Sequence, residues 1–302
     1  MIKNASLWGK HGPKNRNRNA FDYALFLAVP LVLYIVFFIV PNLTSYVYSL
    51  FDYDGFTHFE FIGLRNFANL LGDRKFGMAF QNTIVYTVTT ILGQNALALL
   101  LAVLLVKQRV LNNFFKTVNY LPAIMSSIAI GFIWGFILDP NIGAINTALT
   151  RVGLGNWAQN WLGDRNIVMF TISLIHIWQA VGGAAIIFIA GLLDIPEDLY
   201  ESASIEGANG LQSFWKITFP MLMPVTIINI VLTTIGCFKS FDYVYVMTGG
   251  GGDGSSNVIA TWLFKTGFQF TNVGYASSMA VVLSLTVSLV VLIQLRIYRD
   301  ET

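Results

Sequence analysis

Charged residues are scarce in this sequence. Asp, Glu, Lys and Arg make up 11% of its 302 residues, whereas 55% are hydrophobic, and the mean hydropathy is +0.62. A water-soluble domain cannot keep this much apolar surface away from water, so the composition predicts a membrane protein. The formal net charge of +2 is too small to indicate a nucleic-acid partner.

Cysteine and catalytic motifs are also nearly absent. The single cysteine, Cys237, excludes an intrachain disulfide and offers no metal-ligand spacing. No G-x-x-x-x-G-K-[ST], H-E-x-x-H or G-x-S-x-G pattern occurs. Gly249, Gly251 and Gly254 formally satisfy G-x-G-x-x-G, but they follow an apolar stretch rather than a strand, so we interpret them as a flexible turn. We predict no enzyme activity, no metal site and no cofactor bound by this chain.

Six apolar stretches reach the length of about 20 residues that a helix needs to cross the hydrocarbon layer. They cover approximately residues 22–50, 80–106, 118–138, 167–193, 221–246 and 275–297. The first is longer than a signal-peptide core, so we interpret it as a retained anchor. Pro30 and Pro41 each remove a helical hydrogen bond, so a kink or an early end is expected there.

These stretches predict an all-α membrane protein with a simple domain organisation. Residues 1–20 form a tail, and residues 21–302 form a single transmembrane domain with its core at about 80–297. With the N-terminus inside the cell, the inner segments hold 11 Lys and Arg residues and the outer loops hold six. Because cytoplasmic loops carry the excess of basic residues, we predict that both termini and the loop 194–220 are cytoplasmic.

A polar segment separates the fourth and fifth apolar stretches. It begins with Pro196–Asp198, residues that are favoured where a helix starts and its dipole attracts negative charge. Small residues follow between Ser202 and Ala208, and they allow another backbone to approach closely. The pattern predicts a short surface helix that contacts a partner, although a loop that merely connects two spans is an equal alternative on composition alone. Pro220 is predicted to lie in the first turn of the fifth membrane helix.

The polar segment resembles the cytoplasmic loop of permeases from binding-protein-dependent ABC importers, whose motif reads EAA, three residues, Gly, nine residues, Ile, one residue, Leu-Pro. The motif positions fall, without a gap, on Glu201, Ser202, Ala203, Gly207, Ile217, Phe219 and Pro220. Ser202 replaces an alanine and Phe219 replaces the leucine, which keeps their small and apolar characters. The stretches "FIGLRNFANLL", "YLPAIMSSIAIGFIWGFILDPNIGAINTAL" and "FDYVYVMTGGGG" are similar to sugar-type members, although Gly252 stands where proline is common.

The resemblance implies a type I ABC importer permease fold, with about six membrane helices and a cytoplasmic coupling helix between the fourth and fifth. It implies a heterodimer with a second permease, two ATPase subunits that use ATP and magnesium, an extracytoplasmic solute-binding protein, and surrounding membrane lipid. The location implied is the bacterial inner membrane. Glu201 is then expected to make a charged contact with an ATPase, and Gly207 to provide a close approach or a turn.

Polar groups inside the hydrocarbon layer are costly, so they are candidates for lining a pathway. The predicted pathway residues are His176, Gln179 and Gly183 in the fourth stretch, Gly236, Lys239, Ser240 and Tyr243 in the fifth, and Ser127 in the third. Within the fourth and the fifth stretch these residues recur at helical spacing, which predicts one face on each helix. Together with the nearby Trp178 they provide the hydrogen bonds and aromatic surface that a sugar needs.

Structural roles are the alternatives for these residues. His176 can be hydrogen-bonded inside the bundle, Lys239 and Asp242 can pair at i, i+3 or reach the interface, and the serines and glycines can serve helix packing. For the whole protein, the alternatives are a permease for glycerol phosphate or another small polar solute, and a stand-alone secondary transporter or channel. Asp242 is the one acidic residue embedded in a predicted span, and no TVGYG filter sequence occurs, so the sequence favours the importer.

Overall fold

The computed structural model describes residues 26–106, 112–251 and 254–301, and this part of the chain is a helical bundle with one small hairpin. The basic tail, Lys107, Arg109 and Gly252 lie outside the described residues. The helices are α1 (Phe26–Tyr48), α2 (Arg65–Gly72), α3 (Arg74–Val106), α4 (Asn112–Tyr120), α5 (Ser127–Ile137), α6 (Ala144–Arg151), α7 (Val168–Leu193), α8 (Glu197–Ile205), α9 (Gly210–Met221), α10 (Met223–Phe238), α11 (Asp242–Thr248), α12 (Ile259–Phe264) and α13 (Val273–Glu301).

The prediction of about six membrane-spanning helices is confirmed in number but not in form. In the described residues, α1, α3, α7 and α13 are each long and apolar enough to cross a membrane. Two further spans are bent pairs: Thr117–Ile124 meets α5 at 100°, and α9 meets α10 at 62°. We call the end of the bundle near Tyr48 the hairpin end, and the end that carries α8 the loop end.

The third span is broken at Met125 and Ser126, which the sequence pattern did not predict. Both residues have extended backbone, with ψ values of 151° and 130°. Pro122 lies in the short 3-10 helix Leu121–Ile124 that precedes the break. Proline has no N–H to donate, so the α-helix gives way to this 3-10 helix after Tyr120, just before the break. The predicted span 118–138 is therefore two helices that meet at an angle.

The fifth span begins and ends at different residues from those predicted. Pro224, not Pro220, lies in the first turn of α10, and Pro220 lies in the last turn of α9 after the π-helical turn Phe214–Thr218. At its other end α10 stops at Phe238, and a separate helix, α11, begins at Asp242. The prediction of one continuous helix over 221–246 was therefore wrong.

Helix α1 continues past Pro41 rather than ending there. The helix widens into a π-helical turn at Ile35–Ile39, one of the standard ways in which a helix accommodates a disruption of its hydrogen bonding. The side chain of Asn42 donates to the Phe38 carbonyl at 2.6 Å. None of the apolar residues in the central part of α1 are buried within the described chain, so this span is peripheral.

Small residues set the distances between the central helices. Ala98 and Ala102 of α3 and Ala184 and Ala185 of α7 pack in one buried cluster around Phe188. Gly182 faces α4 so closely that a Cβ atom there would lie 1.9 Å from the Asn119 carbonyl oxygen. The packing role considered for the glycines of the fourth span is confirmed for Gly182, as expected where backbones approach in a bilayer.

The connection between the first two spans contains a β-hairpin that the sequence analysis missed. Strand β1 (Phe51–Tyr53) pairs antiparallel with β2 (Phe59–Phe61), and Phe51 lies opposite Phe61. The rings of Phe51 and Phe59 stack at 4.2 Å. A Cβ atom on Gly274 would lie 2.1 Å from the Phe51 carbonyl oxygen, so the hairpin sits directly on the first turn of α13.

The contact between α7 and α4 leads to a prediction about stability. Replacing Gly182 with Ala should lower the free energy of unfolding by about 1–3 kcal/mol, because the α4 backbone must move away. Thermal unfolding of the purified protein in detergent measures this. Gly183→Ala is the matched control, since no atom lies within 4 Å of its Cβ position. Equal melting temperatures for the two variants would show that the close approach does not exist.

Candidate functional site

The predicted surface helix is confirmed as α8. It begins after Pro196 with Glu197 and Asp198 in its first turn, where negative charge is favourable. The helix ends because Gly207 adopts a positive φ of 83°. The Ala208 N–H then donates to the Ala203 carbonyl at 2.9 Å, which completes a glycine-terminated helix end. Gly207 is thus required for the turn itself.

Helix α9 leaves this turn and folds back beside α8. Asn209 and Gln212 cap its start reciprocally, each side chain accepting from the other residue's backbone N–H at 2.9 Å. A cleft of about 370 Å³ lies between the two helices and includes Ala203, Gly207 and Ile217 among its lining residues. We call Glu197–Met221 the helical hairpin of the loop end.

The remaining motif residues are exposed around this cleft. Glu201 and Ser202 lie on the exposed surface of α8, and Pro220 is exposed in the last turn of α9. Exposed apolar side chains surround them, with Ile205 87%, Leu211 69% and Trp215 58% accessible. Charged residues lie at both ends of this exposed surface, and apolar residues lie between them. Such a surface suits a protein partner.

One contact that the sequence did not predict connects the two helices of the helical hairpin. The Tyr200 hydroxyl and the Thr218 hydroxyl are 2.9 Å apart, and Thr218 is buried. Tyr200 directly precedes the motif position Glu201, and Thr218 directly follows the motif position Ile217. These polar residues beside the motif were therefore the signal in the sequence that could have identified the contact. The contact links α8 to α9 across the helical hairpin.

A second candidate site is a polar cavity of about 280 Å³ within the bundle. It is lined by Ser127, His176, Gly236, Lys239, Ser240, Phe241, Asp242 and Tyr243. Six of the eight predicted pathway residues are among them. Gln179 lies behind the cavity, and Gly183 does not line it. Phe241 and Asp242 are lining residues that were not on the predicted list.

Helical periodicity is not what brings these residues together. Ser127 is the first residue of α5 after the break in the third span. Lys239 and Ser240 lie in the non-helical link between α10 and α11, and Tyr243 belongs to α11. The expectation that Gly236, Lys239, Ser240 and Tyr243 share one helical face was therefore wrong. The interruptions in the third and fifth spans lie next to each other and place these residues around one cavity.

A buried hydrogen-bond network positions His176. Its Nδ1 atom lies 2.7 Å from the hydroxyl of Tyr86, which is fully buried and also lies 3.1 Å from the Ser240 hydroxyl. The imidazole ring stacks on Tyr243 at 4.9 Å and on Tyr86 at 5.6 Å. His176 is thus both hydrogen-bonded inside the bundle and part of the cavity wall. Tyr86, on α3, was missed although polar residues recur beside it at helical spacing, at Thr83, Thr87, Thr90 and Gln94, and this pattern was the available signal.

Gln179 connects the two broken spans. Its Nε2 atom donates to the carbonyl of Met125, at the break in the third span, at 2.8 Å. Its Oε1 atom accepts from the Tyr243 hydroxyl of α11. Both ends of a side chain that is 6% exposed are therefore occupied by groups from the two breaks. Gln179 therefore provides hydrogen-bond partners for a backbone carbonyl and a side-chain hydroxyl that could find none in the hydrocarbon.

The charges at the cavity do not pair with each other. The Ser127 hydroxyl donates to Asp242 Oδ2 at 2.6 Å. Lys239 is exposed at the end of α10, and no carboxylate of the described residues lies within 4 Å of it. The considered pairing of Lys239 with Asp242 is therefore not observed. In the described part of the chain no three His, Cys, Asp or Glu residues come close enough to bind a metal ion.

The chain was compared with known proteins. Residues 94–300 match the model of the family described as binding-protein-dependent transport system inner membrane component. The chain belongs to this family. It is 34% identical over 286 residues to the probable ABC transporter permease protein YurN of Bacillus subtilis, covering 94% of this chain and 98% of YurN.

Two further similarities extend over nearly the whole chain. The probable starch degradation products transport system permease protein AmyD of Thermoanaerobacterium thermosulfurigenes is 30% identical, covering 92% of this chain and 94% of AmyD. A chain from the crystal structure of a bacterial alginate ABC transporter in complex with alginate pentasaccharide-bound periplasmic protein superposes with a TM-score of 0.82 at 22% identity. That match covers 94% of this chain and 96% of the other. The permease fold and the membership in an ABC importer family are thereby confirmed.

The bridge made by Gln179 can be tested by substitution. Gln179→Leu should lower the free energy of unfolding by about 1–3 kcal/mol, because the Met125 carbonyl and the Tyr243 hydroxyl both lose their partner. Tyr243→Phe should cost less, since Gln179 keeps its bond to Met125. Melting temperatures of the two variants in detergent measure the difference. A larger loss for Tyr243→Phe than for Gln179→Leu would contradict the assigned bridge.

Proposed function

We propose that this permease forms half of the translocation pathway of an ATP-driven importer for a sugar or an oligosaccharide, working by alternating access. The observation that carries the proposal is the exposed helical hairpin Glu197–Met221, which holds all the motif positions between α7 and α10. Its glycine turn, cleft and apolar exposed residues suit a surface that another subunit grips. In this proposal Glu201 contacts the ATPase through its charge, and Gly207 shapes the turn.

The proposed assembly contains partners that supply what this chain lacks. A second permease forms the heterodimer, two ATPase subunits use ATP and magnesium at the helical hairpin, and a solute-binding protein delivers the solute at the hairpin end. The sequence offers no phosphate-binding loop of its own, which supports hydrolysis in other subunits. The polar cavity is open at Gly236 and Lys239, both exposed, which supports closure by the second permease.

The proposed orientation places the helical hairpin in the cytoplasm of a bacterium and the β-hairpin outside. The distribution of Lys and Arg supports it, because 11 of these residues fall on the predicted inner side and six on the outer side. In this orientation the ATPases reach the loop end, and both chain termini are cytoplasmic.

The structure suggests how the two sites communicate. Helix α7 carries His176 and Gln179 at the cavity and leads to α8 through the short link 194–196. Helix α10 carries Gly236 near the cavity and joins α9 at a 62° bend. The helical hairpin is therefore attached to both helices that form the cavity wall. Because packed helices transmit displacement as rigid bodies, a shift of the hairpin moves both walls.

The chemistry of the cavity supports a carbohydrate as the solute. Hydroxyl, imidazole and carboxylate groups of Ser127, Ser240, His176 and Asp242 offer hydrogen bonds to sugar hydroxyls, and Tyr243 offers an aromatic face. The similarity to AmyD, a permease named for the transport of starch degradation products, supports the same class.

The coupling role of Gly207 can be separated from a simple loss of folding. Gly207→Ala should reduce ATP-dependent uptake in proteoliposomes that contain the complete importer, because a φ of 83° costs a residue with a side chain about 1–2 kcal/mol and disturbs the turn. Gly210→Ala is the matched control, since the space around its Cβ position is equally open and its φ is not positive.

Uptake driven by an ion gradient without ATP or binding protein would contradict the importer and favour a secondary transporter.

The role of the cavity can be tested at His176. His176→Phe keeps an aromatic ring between Tyr86 and Tyr243 but removes both ring nitrogen atoms. The loss of one hydrogen bond to the solute should lower uptake at low solute concentration about ten-fold. Phe170→Ala is the control, because Phe170 is a half-exposed residue of α7 that does not line the cavity. Unchanged uptake and unchanged solute preference in His176→Phe would remove this residue from the pathway.

A further inference from the structure

A cavity of about 550 Å³ lies at the loop end, between the helical hairpin and the ends of two membrane spans. One wall consists of Val103 and Val106 in the last turn of α3 and of Leu192 and Leu193 in the last turn of α7. Phe214 of α9 lies on the opposite wall. The volume falls in the range of about 300–1,000 Å³ that is usual for ligand-binding cavities, so it accommodates a large side chain with its neighbours. We call it the loop-end cavity.

The polar side chains of the wall have partners within the chain, except for one carboxylate. The Tyr200 and Thr218 hydroxyls bond to each other. The Ser213 hydroxyl donates to the Asn209 carbonyl at 3.1 Å. The carboxylate of Glu197 is exposed and has no hydrogen bond or ion pair with a described residue. An occupant that suits this cavity therefore combines apolar groups with a cation.

The loop-end cavity is separate from the exposed surface that carries the motif. None of the motif positions is among the residues that line the cavity. The apolar side chains exposed beside the motif, those of Ile205, Leu211 and Trp215, do not line it either. A subunit that grips the motif surface therefore does not fill the cavity through those contacts.

The N-terminal tail starts from the same end of the bundle. Helix α1 crosses the membrane once between Phe26 and Tyr48, and Tyr48 lies at the hairpin end. Phe26 therefore lies at the loop end, and residues 1–25 precede it there. A chain of about 18 residues, the separation of Trp8 from Phe26, spans up to about 60 Å when extended and about 23 Å as a flexible coil. Since one helix is about 10 Å wide, the tail can reach across the bundle.

The composition of the tail matches the wall of the loop-end cavity. Leu7 and Trp8 form an apolar pair in an otherwise polar stretch, and Lys10 follows two residues later. Residues 1–25 hold five Lys and Arg residues and one acidic residue, Asp22. The helical hairpin has the opposite balance, with four Asp and Glu residues and one lysine, Lys216. An acyl chain alone would match only the apolar wall, whereas the tail offers both kinds of group close together.

We propose that residues 7–10 of the N-terminal tail dock in the loop-end cavity, with Leu7 and Trp8 against the apolar wall and Lys10 at Glu197. The docked segment joins the helical hairpin to the ends of α3 and α7. It therefore braces the hairpin from the side that the motif does not occupy. This docking does not depend on the transport proposal.

Disulfide cross-linking in the complete transporter, held in phosphatidylcholine nanodiscs, tests the docking. Gly9→Cys should form a disulfide with Ser213→Cys of the same chain, because Ser213 lines the cavity. The rate should exceed roughly ten-fold that of Gly9→Cys with Ile205→Cys, since docking raises the effective concentration at one place only. Ile205 is the matched control position, because it is 87% exposed in the same hairpin and does not line the cavity. The natural Cys237 is buried and can stay.

Two further variants test the groups that hold the tail. Trp8→Ala should slow the cross-link about ten-fold, because the largest apolar group of the segment is lost. Glu197→Gln should slow it about three-fold, as expected for a partly exposed ion pair. Phe21→Ala is the control for the first variant, since it removes an aromatic ring elsewhere in the tail. Glu206→Gln is the control for the second, because Glu206 belongs to the same hairpin and does not line the cavity.

Several outcomes would overturn the proposal. Equal rates for the two cysteine pairs, or an unchanged rate in Trp8→Ala, would show that the tail does not dock in the cavity. Loss of the cross-link in phosphatidylglycerol nanodiscs would show that the basic tail prefers an anionic membrane surface. A faster cross-link to Ser213→Cys from Gln108→Cys than from Gly9→Cys would show that the link between α3 and α4 fills the cavity instead.

Discussion

A carbonyl group exposed by a break in a membrane helix has to find a hydrogen-bond donor, because the hydrocarbon around it has none. In this permease the amide of Gln179 donates to the carbonyl of Met125 at the break in the third span. The same side chain accepts from Tyr243, which follows the break after α10. One buried amide thus fixes two irregular segments against α7, and the polar cavity exists because these segments are held at the same depth.

This arrangement also connects the cavity with the surface loop. The two helices that meet the irregular segments, α7 and α10, are the same two that continue into the helical hairpin Glu197–Met221. The Tyr200 to Thr218 contact links α8 to α9. In the proposed function, a displacement at the exposed motif would therefore reach both walls of the cavity, because both helices are joined to the helical hairpin.

The sequence predicted the features that are encoded locally and missed those that depend on distant partners. Hydropathy indicates the number of spans, and Pro196, the acidic first turn and Gly207 indicate α8, because these signals act within a few residues. The breaks near Met125 and Lys239 were missed, since an apolar run predicts a regular helix and the compensating groups, Gln179 and Tyr86, come from other spans. Six of the eight residues predicted for the pathway nevertheless line one cavity, because polar residues in a membrane span concentrate where the backbone is irregular.

The charges at the cavity indicate that this site is incomplete within one chain. Asp242 Oδ2 accepts from the hydroxyl of Ser127, and no ion pair between Asp242 and Lys239, three residues before it, is observed in the described residues. An ammonium group at membrane depth is costly without a counter-charge or water. Lys239 directly follows the last residue of α10, where the negative end of the helix dipole offsets part of this cost, but this effect is worth only about 1 kcal/mol. In the proposed assembly, the remaining stabilisation comes from beyond this chain, either from the second permease or from the solute as it passes.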